Sequence, residues 1–145
     1  MANSIYTPAR EQFLQAGINL STADVKIVLV DAGAYTFSAA HAFLSDIPSG
    51  ARVATSPNLA SKTFTGGTFD SADATFTAVT GPTVEAFVLY VDTGTASTSR
   101  LLAYIDTGTT NVATGLAGLP FTPNGGGLVL GSGSGWFTLA ATIAG

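Results

Sequence analysis

The sequence predicts a mostly β protein, an antiparallel β-sandwich or barrel-like domain with one short N-terminal helix. Short runs of β-branched and aromatic residues recur roughly every eight to twelve residues, and clusters of Gly, Asn, Asp and Ser separate them. The clearest pair is Val84–Val91 and Leu101–Ile105, joined by the polar loop Asp92–Ser99. We interpret this hairpin as the centre of the sheet against which the rest of the chain packs.

The one substantial helix is predicted over Thr7–Gly17. Thr7 is a suitable N-cap, and Pro8 occupies the favoured first helical position. Gly17 is placed to end the helix in the left-handed conformation. The side chains expected to dock this helix on the sheet are Tyr6, Phe13 and Leu14.

The other elements follow from apolar or alternating runs, with one helical turn over Phe43–Pro48 that Pro48 ends. In Ala74–Val79, alternation places Phe76 and Ala78 on one face and Val79 on the other. The predicted strands are Val25–Val30, Ala34–Phe37, Arg52–Thr55, Lys62–Thr65, Thr68–Asp70, Ala74–Val79, Leu128–Leu130 and Trp136–Ile143.

A chain of 145 residues is expected to form a single β domain over residues 1–145. Three segments of this domain are expected to be extended. They are the N-terminal segment Met1–Tyr6, a Gly/Thr/Pro-rich loop over Thr107–Gly127, and a C-terminal arm or strand over Gly131–Gly145 that begins with a flexible hinge.

Composition excludes several classes of function. Only 10% of the residues are charged, the net charge is −4, and the five basic residues are scattered, so we expect no nucleic-acid binding. The chain has no cysteine, which excludes disulfides and thiolate chemistry. We expect neither a signal peptide nor a membrane span. A neutral, Thr-rich surface suits protein assembly, although a plain Thr-rich β protein has the same composition.

The sharpest motif is a doubled Asp-Thr-Gly at Asp92 and Asp106, each after apolar residues, as in aspartic proteases. Those enzymes need two carboxylates in contact. In a hairpin the two residues end different strands, so roughly seven residues at about 3.3 Å each would separate them by about 20 Å. We therefore interpret both motifs as strand-ending turns and keep a dimeric aspartic protease as a remote alternative.

No other constellation predicts a catalytic, cofactor or metal site. His41 has no acidic or cysteine partners at ligand spacing and is expected in a loop. Asn124–Gly127 is Gly-rich but lacks the Lys-Ser/Thr of a phosphate-binding loop. Trp136 is either an anchor for a neighbouring subunit or a core tryptophan. Four scattered carboxylates are expected to be solvated turn residues rather than calcium ligands: Asp24, Asp31, Asp70 and Asp73.

Several segments spread over most of the chain together resemble a group of small tailed-bacteriophage virion proteins. The chain departs from that pattern in an insertion over Thr109–Ala117 and in its apolar, Gly/Ser-rich C-terminus. The matching segments are Ala9–Leu14, Val25–Asp31, Phe43–Pro48, Ala51–Ala54, Thr63–Gly67, Glu85–Tyr90, Asp92–Gly94, Leu101–Asp106 and Pro120–Gly126.

The resemblance implies a structural protein of the virion without enzymatic activity or cofactors. We expect a capsid decoration (cement) protein, made in the bacterial host cytoplasm, that binds the outside of the head and stabilises contacts between major capsid protein subunits. We expect a homo-oligomer, a dimer or trimer. A tail, baseplate, fibre or head–tail connector component is the main alternative. A carbohydrate-binding module is a further one, although the sequence shows no aromatic cluster.

Candidate contacts with the partner follow from the extended segments and the hairpin loop. We expect removal of Gly131–Gly145 to weaken capsid attachment more than it unfolds the domain. The candidate contact residues are Tyr6, Gly94, Thr95, Ser97, Pro120, Phe121, Trp136 and Phe137.

Overall fold

A computed structural model describes residues 3–139 and confirms the predicted class, a mostly β, antiparallel, sandwich-like fold with one helix near the N-terminus. The helix is α1 (Thr7–Leu14), and three 3₁₀ turns cover Leu44–Asp46, Ser49–Ala51 and Thr65–Gly67. The strands are β1 (Ser4–Ile5), β2 (Val25–Val30), β3 (Arg52–Thr55), β4 (Thr68–Phe69), β5 (Ala74–Phe76), β6 (Ala86–Val91), β7 (Arg100–Ile105), β8 (Thr110–Asn111), β9 (Leu116–Ala117), β10 (Leu128–Gly131) and β11 (Phe137–Thr138).

The predicted hairpin is the centre of the main sheet. That sheet has five strands in the order β1-β7-β6-β2-β3, with β6 in the middle between β7 and β2. A second sheet has the order β5-β10-β8-β9, and β11 pairs with β4 in a two-stranded sheet. All pairings are antiparallel.

The central strands are buried on both faces. Successive residues of a strand point to opposite faces, so Phe87 and Val88 of β6 mark the two sides. On the Val88 side its cross-strand neighbour Tyr104 packs against Phe37, with ring centroids 4.7 Å apart. On the Phe87 side the indole of Trp136 meets the Phe87 ring edge-on at 5.8 Å. The core therefore consists of two layers, one on each side of the same three strands.

The helix differs from the prediction at both ends. Tyr6, with an extended backbone, occupies the cap position, so Thr7 is the first helical residue rather than the cap. Ala16 (φ 58°), not Gly17, adopts the left-handed conformation after the last turn. Ala9 is buried against the sheet, whereas Leu14 is 90% exposed. The expectation that Leu14 docks the helix is therefore wrong.

Two predicted strands are absent from the described structure, and a third ends early. Residues 34–37 form no strand, and in Lys62–Thr65 only Thr63 makes a bridge, to Asp70. The alternation of Ala74–Val79 breaks at Ala78, whose φ of 50° turns Val79 into the core and leaves Ala78 exposed. A single left-handed residue thus shifts the pattern that the sequence suggested.

The three segments expected to be extended are partly paired. Ser4 and Ile5 form β1 against β7, and the loop over Thr107–Gly127 contains the β8–β9 hairpin, which joins the second sheet. In the C-terminal segment, β11 pairs with β4. The rest of the predicted strand Trp136–Ile143 extends into residues 140–145, which lie outside the described residues, as do residues 1–2.

Gly135 allows the C-terminal segment to pass close to β4. A Cβ atom on Gly135 would lie 2.2 Å from Thr68 Cγ2, and its φ of +126° disfavours any other residue. We expect Gly135→Ala to lower the free energy of unfolding by about 2 kcal/mol. Urea denaturation would measure this. Gly50→Ala is the matched control, because a Cβ there meets nothing within 4 Å, and an equal loss in both variants would contradict the prediction.

Candidate binding surfaces

The hairpin loop between β6 and β7 is held by its own side chains. The hydroxyls of Thr93 and Thr98 are 2.5 Å apart, and Ser99 Oγ donates a hydrogen bond to the Thr95 carbonyl at 2.9 Å. Ser99 itself is fully buried. This network fixes a neutral, hydroxyl-rich tip, so binding through it would cost little ordering entropy. Three predicted contact residues are exposed on this tip: Gly94, Thr95 and Ser97.

An ion pair anchors the base of the tip to β2. Lys26 Nζ lies 2.9 Å from Asp92 Oδ2, and both side chains are about one quarter exposed, at 28% and 24%. The hydrogen bond from Lys26, helped by the Gly94 N–H, holds the pKa of Asp92 below its ordinary value. The same hydrogen bond raises the pKa of Lys26. Both shifts favour the charged pair.

The two Asp-Thr-Gly motifs lie at opposite ends of the hairpin. Val91 pairs with Arg100 at the loop end, and Phe87 pairs with Ile105 at the other end. Asp92 follows Val91 and Asp106 follows Ile105, so one chain cannot bring these two carboxylates together. The hairpin register thus agrees with the separation predicted from strand length. A protease dyad would need one motif from each of two chains.

Trp136 is a core residue rather than an exposed anchor. It is 6% exposed, its Nε1–H donates to Ser71 Oγ at 2.8 Å, and its backbone N–H donates to the Phe69 carbonyl at 2.7 Å. Phe137 is half-buried and stacks on Phe13 at 6.3 Å. The described part of the C-terminal segment therefore belongs to the domain, and the effect of removing Gly131–Gly145 on capsid attachment stays a prediction.

Tyr6 is also unavailable to a partner. It is fully buried, and its hydroxyl lies 3.0 Å from that of Tyr35, which in turn lies 2.7 Å from His41 Nδ1. Burial, and then the hydrogen bond with Tyr35, raises the pKa of Tyr6 above its ordinary value. His41 is a loop residue, as predicted, and its partly buried ring extends this chain of hydrogen-bonded polar groups.

A cleft of about 450 Å³ lies beside these tyrosines. Tyr35, Tyr104 and Glu85 line it, and the Glu85 carboxylate accepts a hydrogen bond from the Ala32 N–H at 2.8 Å. Tyr35 and Tyr104 are 4% and 3% exposed, so their flat faces are not available for stacking on a sugar. Phe64 is the one aromatic residue of the described chain in the exposed class, which gives a carbohydrate-binding module little support.

Pro120 and Phe121 lie where the loop after β9 returns to the main sheet. Pro120 is exposed and follows a cis peptide bond. Phe121 is half-buried, and its backbone exchanges two hydrogen bonds of 2.8 Å with Val84. Pro120 is thus accessible, whereas Phe121 mainly attaches the loop to the sheet.

Among residues 3–139, five large apolar side chains are strongly exposed, and none of them is a predicted contact residue. Val112 and Leu116 lie together on the β8–β9 hairpin and are called the Leu116 patch, Phe64 and Leu139 line one cavity, and Leu14 ends α1. Their exposed fractions are 90% for Leu14, 44% for Phe64, 47% for Leu139, 51% for Val112 and 70% for Leu116. Exposed apolar side chains are candidates for interaction sites where they form a contiguous patch. The available sequence signal is that Val112 and Leu116 are apolar residues within the predicted insertion.

Within residues 3–139, no group of His, Asp or Glu side chains is arranged to hold a metal ion. In the same part of the chain, no helix combines the length and apolar character needed to cross a bilayer. No protein-family model matches the chain, and no curated protein is significantly similar to it.

The docking of Trp136 can be tested by truncating its side chain. We expect Trp136→Ala to lower the free energy of unfolding by about 3–5 kcal/mol, because it opens a cavity next to Phe87. Ser71→Ala leaves the buried indole N–H without its acceptor and should cost about 1–3 kcal/mol. Urea denaturation would measure both, and a loss below 1 kcal/mol for Trp136→Ala would show that the segment contributes little to folding.

The Lys26–Asp92 pair predicts a pH dependence of stability. Because the pKa of Asp92 is lower in the folded than in the unfolded chain, its stabilisation is present above the unfolded value of about 3.9 and is lost as the pH falls through the folded value. For a partly exposed pair the effect is at most about 1 kcal/mol. We expect Asp92→Asn and Lys26→Met each to flatten the loss of stability as the pH falls below about 4. Denaturation curves at several pH values would show this, and a wild-type slope in both variants would contradict it.

Proposed function

We propose that this protein is a structural component of a bacteriophage virion, a capsid decoration protein that binds the outside of the head across neighbouring major capsid protein subunits. The observation that carries the proposal is a charge-poor domain with exposed apolar side chains, among them the Leu116 patch, and a fixed neutral loop tip. The resemblance of its segments to small virion proteins supports the same conclusion.

The physical basis of attachment is the low cost of desolvating this surface. Hydroxyl and backbone groups of the tip lose less on leaving water than charged groups would. Exposed apolar side chains add about 25 cal/mol for every Å² of apolar area buried. Individual contacts of this kind are weak, but a domain that touches two capsid subunits at once gains from avidity.

A tail, baseplate, fibre or connector component would use the same kind of surface. Copy number distinguishes these positions. A decoration protein should approach the copy number of the major capsid protein, whereas a connector is present in a small ring. Quantitative mass spectrometry of purified virions of the encoding phage would decide between them, and absence from the virion would overturn the proposal altogether.

We expect the Leu116 patch and the loop tip to contribute to capsid binding. Leu116→Asp and Thr95→Lys place a charge at each surface and should weaken co-sedimentation with undecorated capsids by about tenfold or more. Asn58→Asp changes the charge at another exposed position and is the matched control. Unchanged binding by both surface variants, with their folding verified by circular dichroism, would show that these surfaces do not contact the capsid.

A further inference from the structure

We propose that the cleft lined by Tyr35, Tyr104 and Glu85 binds a primary alkylammonium group, which donates hydrogen bonds to the Glu85 carboxylate and to the Tyr104 hydroxyl. A lysine side chain of a partner protein carries this group, and so does a small free amine. The site goes beyond the proposed function and does not depend on it, because its test needs no capsid.

The hydroxyl of Tyr104 is held in this cleft without a partner. Tyr104 is 3% exposed, and its ring packs against Phe37 and Tyr35 with centroids 4.7 Å and 6.3 Å apart. The Tyr35 hydroxyl is engaged by Tyr6 and His41. The Tyr104 hydroxyl, in contrast, makes no hydrogen bond within residues 3–139. Buried polar groups normally have a partner, so this hydroxyl is available to a ligand.

The Glu85 carboxylate supplies a second acceptor in the same cleft. The lining contains two carboxylates, of Glu85 and Asp106, and no basic side chain. Glu85 is half-buried, and its Oε1 accepts the Ala32 N–H at 2.8 Å, which orients the carboxylate. Within the described part of the chain, Oε2 of Glu85 has neither a hydrogen bond nor an ion pair. One oxygen of a fixed carboxylate is thus open to a cation.

The hydroxyl and the carboxylate face the same space. Burial is the largest cause that raises the pKa of Tyr104 above its ordinary value, and the nearby charges of Asp106 and Glu85 raise it as well. The hydroxyl therefore stays protonated and neutral at neutral pH, and its oxygen keeps lone pairs that accept hydrogen bonds. A cationic donor between the two groups can bond to both.

The lining favours an organic cation over a metal ion. Calcium takes about six to eight oxygen ligands, and among residues 3–139 no group of three or more His, Asp or Glu side chains is placed to hold a metal. Ala32 and Phe37 line the cleft beside the polar groups. Such an apolar wall suits the methylene stem that carries an ammonium group.

The type of cation follows from the acceptors. A guanidinium pairs best with both oxygens of a carboxylate, but the Ala32 N–H already engages one oxygen of Glu85. A quaternary ammonium is held by exposed aromatic faces, and the rings of Tyr35 and Tyr104 are buried. A primary ammonium is compact and has several N–H donors, so it can bond to Glu85 Oε2 and to the Tyr104 oxygen together.

Chemical-shift titration of the full chain with n-butylammonium would measure binding. We expect saturable shifts at amides around the cleft, including that of Ala32. n-Butyltrimethylammonium keeps the charge without N–H donors, and n-butylguanidinium changes their geometry, so each should bind about tenfold more weakly. The proposal fails if n-butylammonium gives no saturable shifts, or if either of the other cations binds as tightly.

Matched variants distinguish this site from general attraction of cations to an acidic chain. Glu85→Gln should raise the dissociation constant of n-butylammonium by about tenfold or more. Glu11→Gln removes an exposed carboxylate of α1 and should leave it unchanged. Equal effects of these two substitutions would overturn the proposal.

Tyr104→Phe tests the hydroxyl separately. It should raise the dissociation constant by about threefold or more without lowering the melting temperature, because the hydroxyl has no protein partner to lose. Unchanged binding, or a clear loss of thermal stability, would show that the hydroxyl has a structural role instead.

A second probe identifies the source of the ammonium group. Nα-acetyl-lysine methylamide carries the same group on a peptide-like backbone. If it binds as tightly as n-butylammonium, the site accepts a lysine of a partner protein, and if n-butylammonium alone binds, the site takes a small amine. Either result leaves the capsid proposal to its own test, so the two proposals can fail separately.

Discussion

Burial of β6 along both of its faces is the constraint on which the rest of this structure depends. All of its residues except Val91 are buried, and β2 and β7 on either side are almost equally covered. Antiparallel sheets commonly leave one face to solvent, but apolar residues at successive positions require a cover on each side. The segment that carries Tyr35 and Phe37 supplies one cover, and the segment that carries Trp136 contributes to the other. The irregular parts of the chain are therefore structural parts of the domain.

This requirement explains why the sequence leaves the C-terminal segment open between an arm and a core strand. A run of alternating Gly and Ser is typical of a flexible hinge. Here the same run leads into Trp136, whose side chain packs against Phe87. Close approach of Gly135 to Thr68 makes that path possible. A Gly-rich composition is compatible with a mobile linker and with a segment that passes close to another backbone. The contact with β4 in the folded chain shows that this segment is of the second kind.

Short sequence patterns predicted the strands and turns that depend mainly on neighbouring residues in the sequence. The β6–β7 hairpin, β2, β3 and the 3₁₀ turn at Leu44–Asp46 follow from apolar runs and turn residues, and so does the exposure of Gly94, Thr95 and Ser97. The exposure of Leu14 did not follow, because it depends on which face of α1 meets the sheet. Ala9 and Phe13 decide that face, and the short helix then leaves Leu14 on the opposite side. Likewise, the left-handed conformation of Ala78, which has no sequence signal, decides the burial of Val79.

The environment of Trp136 also makes this residue an intrinsic fluorescence probe. It is the one tryptophan of the chain. Its buried indole packs against Phe87 and donates a hydrogen bond to Ser71. The fluorescence of a buried indole has a shorter emission wavelength than that of a hydrated one. The emission maximum therefore reports whether the C-terminal segment is packed against the domain. A red shift at constant far-ultraviolet ellipticity would indicate that this segment detaches while the sheet persists. Release and global unfolding can thus be distinguished without any label.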